Sequence, residues 1–376
     1  MSFGFRSLID GAKKLAINGT GSTTAPISDL FAKADPAIDG DDCSHDCSTC
    51  SIHYPRSFKI DHDDRLYGFV KGWSTHLLVA TGKSDWVRDV ADEKGSVMEA
   101  VGSASGPTNG RMMLSATNIP TPNHSSNYAD PTRVLLLPAF VVVDNVTPAL
   151  IPALLENLVS KAPTNITRLT GAVPPPSLPP SLPAPLTYHQ SPHSVLVLLC
   201  SQKTRDARCG QSAPLIRKEL ERHLRPLGLF RDLDDERPGG VGIYFISHVG
   251  GHKYSANMMV YRRPDAFGLD KVARGSLTEE EKAGLPARIK SVVPAVQRGE
   301  KAVKKEGEKE EGAEEANDDD ALNTSAAGAS QCIWLARVMP EDCENIVKYT
   351  ILQGKVVKPE SQLRGGFDRE KGLLSW

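Results

Sequence analysis

The apolar and polar positions of the chain fall into two runs of strands and helices, separated by a proline-rich stretch. In the first run, His76-Leu77-Leu78-Val79-Ala80-Thr81 predicts a buried strand closed by Gly82. Residues 87–101 have helical spacing, weakened by Gly95, and 111–117 predict a strand. Residues 133–143 predict a long apolar strand, with Pro138 at an edge or bulge because it cannot donate to a ladder. Thr147 suits a helix N-cap and Pro148 the first turn; Leu150, Leu154, Leu155 and Leu158 then share one apolar face. In the second run, 195–199 predict a strand, and Ser212 and Pro214 set up a helix. Its inner face is Leu215, Ile216, Leu220 and Leu224, and Gly228 closes it. Residues 241–246 predict the next strand, with 257–262 its hairpin partner. Residues 332–338 predict a strand and 340–353 a helix.

The two runs rhyme. Each opens on an apolar strand ending in a small or polar residue, and each has a late strand leading into a helix that begins with proline. Val142-Val143-Asp144-Asn145-Val146-Thr147-Pro148 sets beside Leu335-Ala336-Arg337-Val338-Met339-Pro340. A β-α-β then β-β-α order is that of a thioredoxin-like domain. The expected fold class is therefore α/β, with two thioredoxin-like domains in tandem. The expected boundaries are 1–57 (N-terminal tail and Cys-rich loop), 58–160 (a degenerate domain, with Thr81 where the second copy has Cys200), 161–193 (linker) and 194–376 (second domain). The run 173–185 favours extended polyproline II and reads as a spacer. Residues 264–328 read as a disordered acidic insertion, because the Lys, Glu and Asp of 301–320 cannot bury enough apolar surface to order themselves. Near the N-terminus, Phe3, Phe5, Leu8, Ile9, Ala12 and Leu15 with Arg6, Lys13 and Lys14 allow either a presequence-like helix, which Asp10 disfavours, or a frayed tail.

Composition narrows the function. The chain has 376 residues and a formal net charge of -2, with no basic stripe interleaved with aromatics, so no nucleic-acid partner is expected. No apolar run approaches the roughly 20 residues that span a bilayer, so no membrane partner is expected. The seven cysteines are an odd number and too few for a disulfide scaffold, so a reducing compartment and metal or redox chemistry are expected.

The candidate chemistry centres on Ile246-Ser247-His248-Val249-Gly250-Gly251-His252-Lys253-Tyr254. His248 and His252 flank a diglycine at the end of an apolar run; Cys200 ends another such run, and Cys209 follows it with eight residues between. Two thiolates and two imidazoles make a complete four-ligand set. Lys203, Arg205, Arg208 and a helix N-terminus near Cys209 favour thiolate. Gly250 and Gly251 let the chain turn back and approach a centre closely, and Lys253 and Tyr254 can tune the site from just outside it. Zinc fits Cys2His2, though not at zinc-finger spacing, and a [2Fe-2S] cluster with two cysteines on one iron and two histidines on the other fits equally well.

Cys200-x8-Cys209-Gly210 preceded by Arg205-Asp206, with His248-Val249-Gly250-Gly251-His252-Lys253-Tyr254 and Asn257, resembles the sucrase/ferredoxin-like family. The resemblance spans residues ~40–376 apart from the linker and the insertion. It implies that the second domain is a thioredoxin-like ferredoxin whose [2Fe-2S] cluster is held by Cys200, Cys209, His248 and His252. The sucrase part of the family's label finds no support in the sequence, since no carboxylate pair can be placed across a glycosidic bond. The expected function is a one-electron carrier or redox sensor whose potential depends on pH, serving an unidentified redox partner. Rivals are a thiol-disulfide oxidoreductase using Cys43, Cys47 and Cys50, and a zinc-stabilised interaction module. Cys43-x3-Cys47-x2-Cys50, beside His45 and His53, also has zinc-like spacing. The terminal Leu374-Ser375-Trp376 resembles the tail by which cytosolic iron-sulfur clients recruit the cluster-targeting machinery. It favours a cytoplasmic location over the mitochondrial alternative.

Overall fold

The computed structural model describes residues 24–170, 177–270, 278, 280–281 and 327–376. The first half holds β1 (Thr75–Ala80), α1 (Val97–Ser103), β2 (Met112–Thr117), β3 (Thr132–Leu137), β4 (Val141–Val146) and α2 (Ile151–Asn157). β1 runs parallel to β2 and antiparallel to β3, which pairs antiparallel with β4. After β5 (Thr187–Gln190), which pairs with β4, the second half repeats the scheme. β6 (Val195–Cys200), α3 (Ala207–Leu224) and β8 (Val241–Ile246) make the parallel unit, with the short β7 (Phe230–Arg231) at the free edge of β8. β9 (Met258–Arg262) lies antiparallel to β6, and β10 (Gln331–Leu335) lies antiparallel to β9. Helix α4 (Cys343–Asn345) continues as a wider helical turn over Ile346–Ile351, and β11 (Leu363–Asp368) and β12 (Leu373–Leu374) extend the sheet beyond β10.

The two halves share one twelve-stranded sheet, ordered β12-β11-β10-β9-β6-β8-β2-β1-β3-β4-β5 with β7 beside β8. They meet where β2 and β8 end, antiparallel, with Thr117 opposite Ile246. Ser247 N donates to Ala116 O at 2.9 Å and Asn118 N to Phe245 O at 3.1 Å, the same bond made once from each side. Likewise Thr81 N donates to Thr117 O and Ser201 N to Ile246 O. The C-terminal ends of both parallel pairs therefore converge on one seam. Alternate strand residues point to opposite faces. Val195, Val197 and Leu199 pack with Ala213, Ile216 and Leu220 of α3, and Leu77 and Val79 with Met98, Leu154 and Leu155. Leu78, Ala80, Leu196 and Leu198 join Trp73, Tyr261 and Trp334 in a core on the other face, shared by both halves.

Several expectations need correction. Residues 133–143 are not one strand: the chain reverses at Pro138-Ala139-Phe140, where Phe140 takes a φ of 57°, and a hairpin results. Residues 257–262 are not the hairpin partner of β8. All of β9 is buried, as a central strand requires, and it crosses to the far edge of β6. α3 starts earlier than Ser212: the Asp206 carboxylate caps it by accepting from Arg208 N at 2.9 Å, and Pro214 lies inside it. Ala80, not Thr81, holds the register position of Cys200, since Ala80 faces Thr117 as Cys200 faces Ile246.

The segments read as tail, linker and insertion contribute to the fold. Leu30 and Phe31 are buried in the second-half core, and Leu178 and Leu182 pack on the first. At the start of 264–328, Leu269 is buried and Asp270 accepts from Arg262; most of that stretch, and the presequence-like 1–23, lie outside the described residues.

Candidate metal centre

Because β9 pairs with β6 and not with β8, residues 247–257 must pass over the C-terminal end of β6, where Cys200 sits. That crossing carries the His248 loop to the thiols. Cys200 is the last residue of β6, and Cys209 lies in the first turn of α3; both are buried. Sγ of Cys200, Sγ of Cys209 and a ring nitrogen of His248 lie within 4.8 Å of one another, with Cys200 Sγ 3.9 Å from His248 Nδ1. His252 opens the short turn His252–Tyr254 on the same loop, while its side chain lies outside the described residues.

The electrostatics favour one thiolate. The Cys200 thiol is pulled well below its usual range, chiefly by a hydrogen bond from Cys209 and, against burial, by His248 and the Val249 N–H. Cys209 is pushed up, chiefly because it faces that sulfur and is itself buried; Arg208 offsets only a little of this.

The residues expected around the ligands have different tasks. Arg208 pairs with Asp206 and reaches the Lys59 and Lys253 carbonyls, and Lys253 pairs with Asp64 on the surface. The Lys203 side chain packs against Gly210, so closely that a Cβ there would lie 2.6 Å from its own; Arg205 belongs to the turn before α3. The buried Tyr254 donates to the Arg65 carbonyl. Gly250 and Gly251 take φ values of 83° and 65°. At the C-terminal end, Ser375 is buried and bonds both backbone groups of Gly366, while the Trp376 ring stacks on Trp73 at 4.2 Å.

The residue that sequence reasoning missed is Arg364, on β11. It is 3 % exposed, and its Nη1 donates to Gly250 O at 2.7 Å and to Asn257 Oδ1 at 2.9 Å. A Cβ on Gly251 would lie 2.4 Å from this guanidinium. Burial lowers its pKa to about 10, against the pull of Tyr254 and of Cys200, so it stays charged. Its buried Nε has no partner among the described atoms. The ligand loop is thus held on a buried cation, and that suits a net-negative group bound to the two sulfurs. The Leu363-Arg364-Gly365-Gly366 run was a signal only in its clustered glycines.

The first half braces the other side. Ser201 Oγ donates to Ser84 O, Gln202 Nε2 to Val87 O, and Thr204 binds both oxygens of Asp85. Gln202 Oε1 in turn accepts from His248 N at 2.8 Å.

Cys43, Cys47 and Cys50 do not join this centre. Cys43 packs with Ala34 and Tyr349, Cys50 donates to Ile52 O, and Cys47 lies near His223 and Glu344. All seven cysteines are free thiols. No helix among the described residues is long and apolar enough to cross a membrane.

Known proteins are similar to this chain over part or most of its length. Actin patches distal protein 1 of Saccharomyces cerevisiae is 28% identical over 282 residues, 68% of this chain and 82% of that protein. Altered inheritance of mitochondria protein 32 is 39% identical over 80 residues in Clavispora lusitaniae and 32% over 90 in Debaryomyces hansenii. These stretches cover 21% and 24% of this chain, and 26% and 29% of those proteins. No solved structure matches the chain. The family whose pattern does match, over residues 66–365, is the sucrase/ferredoxin-like family, and the chain belongs to it.

Proposed function

We propose that Cys200, Cys209, His248 and His252 hold a [2Fe-2S] cluster and that the chain is a one-electron carrier or redox sensor. The observation that carries this reading is the convergence of two buried sulfurs and the His248 imidazole within 4.8 Å. The family membership and the diglycine that brings His252 back along the same loop support it. The shared strand order of the two halves supports a thioredoxin-like fold for each, the second being the ferredoxin.

Bound there, the cluster supplies a one-electron couple. The chain's part is to set its charge and surroundings. Two neutral imidazoles in place of two thiolates make the assembly less negative, which favours reduction and raises the potential toward that of Rieske centres. Arg364 adds positive charge on the same side. The outer nitrogen of a ligating imidazole can exchange a proton, so uptake of an electron is coupled to uptake of a proton. Lys253, paired with Asp64 at the surface, lies where a redox partner can approach. The half-buried Trp376 is the proposed contact for the cytosolic cluster-targeting machinery, and a cytoplasmic location is proposed with it. The mitochondrial wording in the relatives' names is the competing location.

The test is the absorption spectrum of anaerobically purified chain, with iron and acid-labile sulfide analysis. Expected are two irons and two sulfides per chain, a red-brown colour, and a potential that falls as pH rises through the imidazole range. A colourless protein carrying zinc, or a potential insensitive to pH, overturns the reading.

A further inference from the structure

Helix α3 carries metal-ligating chemistry near both ends. Cys209 lies in its first turn and His223 in its last, roughly 20 Å apart along the axis at the helical rise. Around His223 the structure assembles residues that are distant in sequence. Cys47 comes from the N-terminal segment, where its N–H donates to Glu341 O at 3.0 Å. Glu344 comes from α4. Cys47 Sγ, a His223 ring nitrogen and a Glu344 oxygen lie within 4.8 Å of one another, with Cys47 Sγ 4.0 Å from His223 Nε2.

A second observation points to a ligand. Glu219, one turn before His223, is fully buried on the inner face of α3. One of its oxygens lies 3.5 Å from His223 Nε2 and pairs with Arg222. The carboxylate also faces the Cys50 thiol, whose S–H is given to the Ile52 carbonyl, so its second buried oxygen has no well-formed hydrogen bond among the described atoms. Such an oxygen is costly to leave. Cations lean on the other donors. Arg222 Nη2 lies 3.3 Å from Cys47 Sγ and donates to His223 Nε2 at 3.0 Å, while Lys348 Nζ is 2.7 Å from the Glu344 carboxylate.

We propose that Cys47, His223 and Glu344 form a second metal site, for a zinc-class divalent cation, with an oxygen donor completing the shell and Glu219 within reach of that position. A mixed sulfur, nitrogen and oxygen set is zinc's ordinary company. On binding, the Cys47 thiol releases one proton to solvent and its sulfur becomes a ligand. Arg222, with 39% of its side chain exposed, swings from the sulfur into water. The ion ties the N-terminal segment to α3 and α4. The site is separate from the Cys200 centre and does not depend on the cluster reading.

The experiment uses the full chain stripped of metal by a chelator and titrated with Co2+, then Zn2+. A double variant Cys200→Ser/Cys209→Ser removes the thiols of the other centre, and Cys50→Ser added to it removes the thiol nearest this site. In that variant cobalt should give a thiolate-to-metal charge-transfer band, which zinc should bleach. Adding Cys47→Ser should abolish the band and weaken zinc binding at least about tenfold, since altering mere outer-shell partners of metal ligands already costs 10–100-fold. In the otherwise unaltered chain, zinc should slow amide exchange over residues 41–50, a readout that needs no substitution to fold. Cobalt bound without the band, equal zinc affinity after Cys47→Ser, or exchange over 41–50 unchanged by zinc would each overturn the proposal.

Discussion

At the C-terminal end of β6 stands Cys200; at the same register position of β1 stands Ala80. Two residues past the end of β8 comes His248; two past the end of β2 comes Ile119, which is buried in the shared core. Between residues 51 and 199 there is no cysteine to act as Cys209 does. The first half keeps the strand order of the second and fills its ligand positions with packing. It keeps a task as well, because Ser84, Asp85 and Val87 hold the loop between Cys200 and α3. One half presents the candidate ligands and the other splints them across the seam. The comparison teaches that a half without the candidate ligands need not be an idle domain.

The halves also differ in what their central strands bury. Leu196 of β6 corresponds to His76 of β1, which is fully buried between Tyr261 Oη at 3.1 Å and Ser115 Oγ at 2.9 Å. Burial alone pushes the His76 pKa down to about 3. His193, just before β6, is pushed down to about 4, first by burial and then by Arg231. Both rings stay neutral in the fold while the unfolded chain protonates them near pH 6.5. Below that value the unfolded state binds more protons, so stability falls as pH falls. Each histidine contributes about 1.4 kcal/mol per pH unit until its folded pKa is reached. His76→Leu, which copies the second half, should lower that slope by about 1.4 kcal/mol per pH unit between about pH 6 and pH 5. Urea midpoints across that window check it. The slope is the informative quantity, because the absolute stability also drops when Tyr261 and Ser115 lose their partner. An unchanged slope would mean that His76 is not the proton-sensitive element of β1.

The sequence made much of this arrangement legible, for physical reasons. Runs such as Val195–Cys200 and Thr75–Ala80 are apolar on both faces because both faces of the sheet are covered. The spacing Cys200-x8-Cys209 and the His-x-Gly-Gly-His element, taken together, point to a donor set. What stayed hidden depends on contacts between distant segments. The register slip between Ala80 and Thr81 is one residue, yet it flips the side chain to the other face. The pairing of β9 with β6 is set by burial on both sides, which alternation does not encode. Arg364 lies more than a hundred residues beyond Gly250 and reads as an ordinary charge until it is seen beneath the loop. Glu219, a carboxylate on the inner face of α3, was overlooked because the helix was read from its leucines.

Glycines sharpen the comparison at a smaller scale. Gly251 sits at a φ of 65° with the Arg364 guanidinium 2.4 Å from where a Cβ would be. Arg364 is held by Gly250 and Asn257 and is buried. Gly82, after β1, has a nearly equal φ of 66° but nothing within 4 Å of a Cβ. Gly251→Ala should cost about 3 kcal/mol, from left-handed strain plus overpacking. Gly82→Ala should cost only the strain, about 1 kcal/mol. Unfolding midpoints measure both, and metal retention should suffer only in the Gly251 variant. Equal losses would mean that Arg364 yields, and that the loop is not seated on it.

The smallest expected effect is the most direct probe of why the first half is silent. Ala80→Cys places a thiol at the register position of Cys200. The first half has no cysteine to match Cys209, and Ile119 stands where the second half has His248. Thr81 Oγ1 is occupied by Trp86 Nε1 at 2.9 Å and by the Lys83 N–H, and Gly82 N donates to the carbonyl of Ile119, so that loop is closed by its own bonds. Asn118-Ile119-Pro120-Thr121-Pro122 has neither imidazole nor diglycine, and two prolines stiffen it where the second half turns back. A lone buried thiol behaves as a small hydrophobe. Iron per chain in the variant should therefore equal that of the unaltered protein, with a change in stability of about 1 kcal/mol or less for the added volume. A gain in bound metal would show that the first half lacks only its cysteine, and that its loops retain more of the ligand geometry than their hydrogen bonds indicate.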